Sequence, residues 1–124
     1  MRIQLAIALG GAAGCLARYW VGTGLLAISQ TFPFATLLIN IVGSFVLGVV
    51  FAGLPSHPPT ALRAGLMVGV CGGFTTFSTF SVEVVTLAQR GDAGRAATYV
   101  AASVLLSAAA AWAGILLGRA LAAR

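Results

Sequence analysis

Long apolar stretches alternate with short polar connections along the chain. Four apolar segments are each long enough for the roughly 20 residues that a membrane-spanning helix needs. They cover approximately residues 3–28, 34–53, 61–89 and 95–121. The connections contain proline, glycine and small polar residues, which end helices and form turns. The pattern predicts an all-α, multi-pass membrane protein with one transmembrane domain, residues 1–124, and both termini on one side.

The first segment begins like a secretory signal peptide, because Arg2 is followed at once by an apolar run. The apolar stretch continues well past any cleavage site and then carries Arg18, Tyr19 and Trp20. We therefore expect a helix that is retained in the membrane rather than a leader that is removed.

Small residues recur at intervals of four along three of the segments. They are Gly10, Gly14 and Gly22 with Arg18 between them, then Gly65, Gly69 and Gly73, and finally Ala110, Gly114 and Gly118. Small residues at this spacing let helix backbones approach closely in lipid. They predict a compact bundle. Because four short helices cannot cover all of these faces by themselves, a homodimer is the simplest way to complete the packing.

Polar residues also recur on single faces of two segments. The two sets, each spaced by four, are Thr36, Asn40 and Ser44 in the second segment and Tyr99, Ser103 and Ser107 in the fourth. Hydroxyl and amide groups in a line either bond adjacent helices or replace the water around a desolvated ion. The sequence leaves both roles open.

An ionisable residue inside an apolar segment marks a functional site by default. Arg18 is such a residue, and its distance from the first connection places it at a depth similar to that of Asn40 on the next, antiparallel helix. The two side chains could offer donors to an anion. Arg18 could also bond backbone carbonyls or reach the membrane interface.

The third segment contains the most unusual stretch of the chain, Gly72–Ser81, with the sequence GGFTTFSTFS. Polar or irregular backbone at membrane depth is tolerated only where protein covers it or where it lines a cavity. The glycine pair is a natural place for the third helix to break. Carbonyls that a break sets free can coordinate a cation.

Two faces follow the glycine pair. Thr76, Thr79 and Glu83 share one face of the helix, and Phe77 and Phe80 share another. The edge of a phenylalanine ring carries partial positive charge. Rings that present their edges could therefore contact an anion without holding it as tightly as a fixed positive charge would.

Composition narrows the possible partners. The 124 residues are 60% hydrophobic and 7% charged, with a net charge of +5, which is too few charges for a water-soluble surface. The arginines flank apolar segments, where the lipid bilayer and its anionic headgroups are expected partners and nucleic acid is not. His57 is the only histidine, and Cys15 and Cys71 lie in apolar segments, so the sequence offers no thiolate or imidazole metal site.

The arginines are nearly balanced across the predicted membrane. Arg2, Arg63, Arg119 and Arg124 lie on the side of the termini, and Arg90 and Arg95 lie on the other. Orientation follows the Lys/Arg bias of short loops, so a nearly balanced chain can insert both ways. This predicts dual topology and, with it, an antiparallel homodimer.

With these residues in view, the chain resembles the Fluc (CrcB) fluoride channel family over essentially its whole length. The resemblance rests on Ala17-Arg18-Tyr19 in the first segment, Asn40-Ile41-Val42-Gly43-Ser44-Phe45 in the second, and Gly72–Ser81 in the third. It implies four transmembrane helices with a broken third helix, assembled as an antiparallel dual-topology homodimer in the cell (inner or plasma) membrane. It also implies a channel, not an enzyme, that exports cytoplasmic fluoride by passive conduction and so confers fluoride resistance.

The resemblance further implies roles for individual residues. Gly72 and Thr75 would give backbone carbonyls to a structural Na⁺ at the dimer centre. Arg18 would lie near a vestibule and Glu83 close to the pore, where both act electrostatically. The expected fluoride pathway, with the hydroxyl of Thr79 included, consists of Asn40, Phe77, Thr79, Phe80, Tyr99, Ser103 and Ser107.

Two other functions stay open at this point. A small dual-topology, proton-coupled antiporter would need a membrane carboxylate for which protons and toxic cations compete. Glu83 is the only candidate, and its neighbouring hydroxyls and phenylalanines fit anion transit better. A membrane assembly subunit that transports nothing would show no ion flux when purified.

Overall fold

The computed structural model describes residues 1–55 and 57–123, and within these two ranges there are helices and turns but no strand. Four helical spans are long and apolar enough to cross a membrane: Arg2–Gly24, Phe34–Gly53, Thr60–Gln89 and Ala93–Ala122. The predicted all-α, multi-pass membrane fold is confirmed. Ser56, in the second predicted connection, and Arg124, in the charge count, lie outside the described residues.

The helices are named in chain order. They are α1, Arg2–Gly24; α2, Phe34–Gly53; α3, residues 60–74; α4, Phe77–Gln89; and α5, Ala93–Ala122. Within α3, an α-helical turn at Thr60–Ala64 continues as a π-helix over Gly65–Cys71 and ends in an α-helical turn at Gly72–Phe74. The first span is shorter than expected, because a 3₁₀ turn at Leu26–Ile28 follows α1.

Helix-breaking residues stand at the ends of the helices. Pro33 precedes α2 and Pro59 precedes α3, positions where the missing N–H of proline is not needed. After α4, the N–H of Asp92 donates to the Leu87 carbonyl oxygen at 3.1 Å. Gly91 between them has φ +83°, a left-handed conformation that glycine adopts without strain. The last turn therefore closes α4 and redirects the chain into α5.

The first of two helix pairs is α1 with α3. Gly10 faces Gly65 and Gly14 faces Val70, and a Cβ on either α1 glycine would overlap a carbonyl oxygen of α3. Residue numbers rise together along both helices, so the pair is parallel. The predicted close approach is confirmed at these glycines, whereas Gly22 has open space beside it.

The second pair, α2 with α5, is built in the same way. A Cβ on Gly48 would overlap the Ala111 carbonyl oxygen, and one on Gly114 would overlap that of Phe45. These helices are also parallel to each other. Because short connections join successive spans, the two pairs run in opposite directions, and α4 lies against α5 beside the second pair.

Candidate functional site

Two extended residues separate α3 from α4. Thr75 has φ −78° and ψ 160°, and Thr76 has φ −152° and ψ 112°. The position differs from the expected break at the glycine pair, because Gly72 and Gly73 are helical. Gly73 instead allows α1 to pack closely against α3, because a Cβ at this position would lie 2.7 Å from the carbonyl oxygen of Gly11. The Thr75 N–H keeps its helical bond to the Cys71 carbonyl oxygen at 3.0 Å, whereas the Thr76 N–H has no helical acceptor and needs another partner.

Asn40 of α2 provides hydrogen-bond partners for Thr76. Its Oδ1 accepts from the Thr76 N–H at 2.9 Å, and its Nδ2 donates to the Thr76 carbonyl oxygen at 3.1 Å. The Thr76 hydroxyl then caps α4, accepting from the Thr79 N–H at 3.2 Å and donating to the Thr79 hydroxyl at 2.9 Å. Asn40 therefore fixes where α4 begins and keeps one amide N–H for another partner.

Arg18 binds the preceding peptide. Its Nη1 donates to the Thr75 carbonyl oxygen at 3.2 Å, and its Nη2 donates to the Cys15 Sγ at 3.6 Å. Arg18 and Asn40 thus contact consecutive residues, which agrees with the similar depths expected for them. Of the roles that the sequence left open for Arg18, the bond to a backbone carbonyl is present.

A cavity of about 300 Å³ lies beside the extended residues, between α2, α4 and α5. Asn40 and Thr76 line one part of it, and Ser103 and Ser107 of α5 line another. The Oγ atoms of both serines are buried, and neither has a hydrogen-bond partner among residues 1–55 and 57–123. Buried hydroxyls in proteins are normally bonded. Both hydroxyls therefore keep donor capacity that the contacts of the described residues leave unused.

Two phenylalanine rings line the same cavity. The centroids of Phe77 and Phe80 are 5.5 Å apart. Phe77 is 79% exposed, whereas Phe80 is 9% exposed and packs on Tyr99, with ring centroids 5.1 Å apart, in a cluster with Leu87 and Ala96. The Phe80 ring is thus fixed by its own chain. The Phe77 ring has few contacts within its own chain, so the cavity is exposed where Phe77 lines it.

Glu83 lies one turn beyond Phe80 and accepts two hydrogen bonds. Thr36 Oγ1 donates to its Oε1 at 2.8 Å, and Tyr99 Oη donates to its Oε2 at 2.7 Å. Bonds to a charged acceptor are stronger than those between neutral groups. The carboxylate therefore ties α4 to both α2 and α5, and it fixes the fully buried Tyr99 ring against Phe80.

A second cavity, of about 240 Å³, lies at the end of α4 near the first connection. Glu83 and Arg90 line it, together with the connecting residues 29–31. Because Phe80 on the first cavity and Glu83 on the second are one turn apart, the two cavities follow one another along α4.

Near the extended residues, backbone carbonyls are suitable ligands for a cation. Among the described residues there is no cluster of three or more His, Cys, Asp or Glu side chains that could hold a metal. The Gly72 carbonyl loses its usual helical donor because the Thr76 N–H is bonded to Asn40, and Gly72 is exposed. The Thr75 carbonyl has a second lone pair besides the one that accepts from Arg18. Both carbonyls therefore fit a cation that approaches from outside the chain.

Comparison with known proteins gives the family. The family model described as CrcB-like protein, Camphor Resistance (CrcB), matches residues 5–115, which is most of the chain. The chain belongs to the CrcB-like family. The family resemblance that the motifs indicated is confirmed.

This CrcB-like chain has full-length relatives whose names state a function. A protein of Rhodospirillum centenum named Fluoride-specific ion channel FluC is 51% identical, with 96% of this chain and 97% of the relative covered. A protein of the same name in Gloeobacter violaceus is 48% identical, with coverage of 98% and 99%. Fluoride-specific ion channel FluC 1 of Nitrobacter hamburgensis is 48% identical, with coverage of 94% and 95%.

Most of the predicted site residues of the CrcB-like chain gather at the two cavities. The first is lined by Asn40, Thr75, Phe77, Phe80, Ser103 and Ser107, and the second by Glu83. Tyr99 lies between Phe80 and Glu83. Thr79 is engaged with Thr76 and lines neither cavity.

Sequence reasoning missed two residues of this arrangement. The sequence places Thr36 on the polar face of α2 but does not identify it as a donor to Glu83. A hydroxyl one turn before Asn40, in a chain with one membrane carboxylate, was the available signal. Arg90 enters the sequence analysis only through the charge balance across the membrane. It nevertheless continues the α4 face of Phe80 and Glu83, at intervals of three and seven residues.

Proposed function

We propose that this chain is a fluoride-specific ion channel of the inner membrane, which lets fluoride leave the cytoplasm passively. The names of relatives at 48–51% identity support this function, as does membership of the CrcB-like family. The observation that carries the proposal is the pair of buried hydroxyls, Ser103 and Ser107, on an open cavity without partners in the described chain.

The serine hydroxyls are suited to replace the water of a small anion. Ser103 and Ser107 lie one turn apart, about 6 Å along α5, and each can rotate its O–H towards an ion. Conduction requires sites that bind well enough for entry and weakly enough for release. Two neutral hydroxyls in succession meet that requirement better than a fixed positive charge.

The phenylalanine rings complete the first cavity. The ring edges of Phe77 and Phe80 carry partial positive charge, and the free amide N–H of Asn40 adds a donor on the same cavity. An anion there meets donors and ring edges on several sides. No energy source is needed, because an inside-negative potential drives anions outward.

Glu83 has a positioning role in this pathway. Since both of its oxygens accept hydrogen bonds from Thr36 and Tyr99, its charge is partly compensated where the anion passes. The Tyr99 hydroxyl is directed to the carboxylate and its fully buried ring packs on Phe80, so Tyr99 also has a positioning role. A proton-coupled antiporter is not favoured, because the names of the relatives point to a channel.

The proposal includes an antiparallel homodimer, with the third membrane helix broken at Thr75 and Thr76 and a sodium ion between the two copies. Gly72 and Thr75 would hold the ion by their carbonyl oxygens. Two carbonyl oxygens are too few ligands for a hard cation, and a second copy of the chain would raise the number to four. The nearly balanced arginines support insertion in both orientations.

Fluoride efflux from proteoliposomes tests the function. Vesicles that contain the protein and potassium fluoride are treated with a potassium ionophore, and a fluoride electrode follows release. We expect efflux that tracks the imposed voltage, with no release from chloride-loaded vesicles on a chloride electrode. Obligatory proton counterflow would contradict a channel and would support the proton-coupled antiporter instead. No flux at all would indicate a subunit that transports nothing.

The sodium ion has a separate test. Fluoride efflux is measured after sodium has been replaced throughout by a large organic cation, and again after sodium is restored. Loss of efflux that sodium reverses supports the carbonyl site. Unchanged efflux in sodium-free solution would remove sodium from the proposal and leave the fluoride pathway intact.

A further inference from the structure

The second cavity has an unpaired positive charge at its entrance. It is lined by Arg90, which directly follows the last residue of α4, and by the polar connection at residues 29–31. Arg90 is exposed, and no carboxylate of residues 1–55 and 57–123 lies within ion-pair distance of it. Its guanidinium is therefore available to solution ions at the mouth.

A second arginine on the same side provides a contrast. Arg95 is five residues away but forms an ion pair with Asp92 at 3.2 Å, and it does not line the second cavity. The two arginines carry the same charge on the same side of the membrane. They differ in whether that charge is compensated and in whether it faces a cavity.

The second cavity lies beyond the first along α4. Arg90 lies seven residues after Glu83, about 10 Å along the helix, and Glu83 lies one turn after Phe80 on the first cavity. The mouth also holds hydroxyl and amide groups that suit an anion, among them Ser29, whose Oγ accepts from the Ala35 N–H and so keeps its own proton to donate. A charge at this mouth acts on any anion that enters or leaves past Glu83.

We propose that Arg90 is the residue that concentrates fluoride at this mouth and offsets the negative charge of Glu83, so that the second cavity is one end of the ion path. This inference rests on the proposed function. A positive charge at the opening of a cleft raises the local concentration of anions, and salt screens the effect. The contribution of Arg90 therefore depends on ionic strength.

The test compares Arg90→Gln with Arg95→Gln in the full-length protein, reconstituted in neutral phosphatidylcholine vesicles. Initial fluoride efflux is measured at about 20 mM and about 500 mM ionic strength, set with potassium gluconate, because the screening length falls from roughly 20 Å to about 4 Å between them. We expect Arg90→Gln to slow efflux about two- to threefold at low ionic strength and to match the wild type at high ionic strength. Arg95→Gln should match the wild type at both, and Arg90→Lys should keep most of the wild-type rate.

Three results separate the possibilities. Equal effects of Arg90→Gln and Arg95→Gln at low ionic strength would overturn the inference, because a general surface charge would explain both. A loss in Arg90→Lys as large as that in Arg90→Gln would also overturn it, because charge alone would not be the cause. A wild-type protein without fluoride efflux would contradict the proposed function itself.

Discussion

Two walls of the first cavity hold polar groups in opposite states. On the α2 and α4 side, the Asn40 amide and the Thr76 peptide satisfy each other at 2.9 and 3.1 Å. On the α5 side, the Oγ atoms of Ser103 and Ser107 have no partner within the described ranges. Burial does not explain the difference, since Thr76 and Ser103 are both 7% exposed.

The difference separates the fold from the function. A buried polar group without a partner costs about 1–3 kcal/mol, so a side chain kept in that state needs another reason to be there. The paired wall holds the extended residues in place. Under the proposed function the unpaired wall binds the ion, so substitutions on the two walls should change stability in opposite directions.

The largest effect is expected from Asn40→Ala. The change leaves both the N–H and the carbonyl of Thr76 without partners in a buried site, which lowers the free energy of unfolding by about 2–4 kcal/mol. Because Thr76 caps the start of α4, fluoride efflux should fall roughly 100-fold or more. That fall corresponds to a rise of about 3 kcal/mol in the activation free energy of conduction. Unfolding in detergent and fluoride efflux measure the two effects.

Gln89→Ala is the control for this substitution. Gln89 is an exposed amide at the end of α4, so its loss should change neither quantity. If Asn40→Ala conducted normally, the amide would not be part of the path and the paired wall would not control it.

The next effect is expected on the unpaired wall. The double substitution Ser103→Ala and Ser107→Ala removes two unbonded hydroxyls, so stability should stay the same or rise by about 0.5–1 kcal/mol. Fluoride efflux should fall about tenfold, since the ion loses two donors. Ser81→Ala is the matched control, because the Ser81 hydroxyl bonds the Phe77 carbonyl of its own helix at 2.9 Å. A double variant that is less stable than the wild type would show that the serines do have partners.

The two walls also differ in how far the sequence predicts them. The four spans, the proline and glycine helix ends, and the close contact at Gly14 and Gly114 follow from local composition and from helical periodicity. These features depend on residues that are near one another in the chain. For that reason the predicted second span, 34–53, coincides with Phe34–Gly53.

The position of the extended residues does not follow from local sequence. Glycine marks where a helix can break, but the partners that allow one are set by Asn40, which lies 36 residues from Thr76. With that amide in place, the peptides of Thr75 and Thr76 leave the helix and the glycine pair stays helical. The sequence also does not predict that the Ser103 hydroxyl is unpaired, because this depends on which hydrogen-bonding groups the neighbouring helices place near it.

Smaller effects should distinguish the two rings of the cavity. Phe80→Ile removes a buried ring from the cluster with Tyr99, so it should lower stability by about 1–2 kcal/mol and efflux several-fold. Phe77→Ile alters a ring that is 79% exposed, so stability in detergent should change by less than about 0.5 kcal/mol while efflux still falls. Normal efflux in Phe80→Ile would contradict the proposed contact between ring edges and the ion.

The smallest effect on efflux is expected from Thr36→Val, which tests whether Glu83 belongs with the paired wall. The change keeps the shape of the side chain but removes the donor to Glu83 Oε1, and Tyr99 continues to donate to Oε2. A lost bond to a charged acceptor lowers stability by about 1.5–3 kcal/mol, and efflux should fall only about twofold because the first cavity keeps its lining. Thr98→Val is the same substitution at a hydroxyl that bonds its own helix through the Gly94 carbonyl at 2.9 Å, and it should change neither. If Thr36→Val reduced efflux as strongly as the double serine variant and left stability unchanged, Thr36 would act on the ion directly and Glu83 would belong with the unpaired wall.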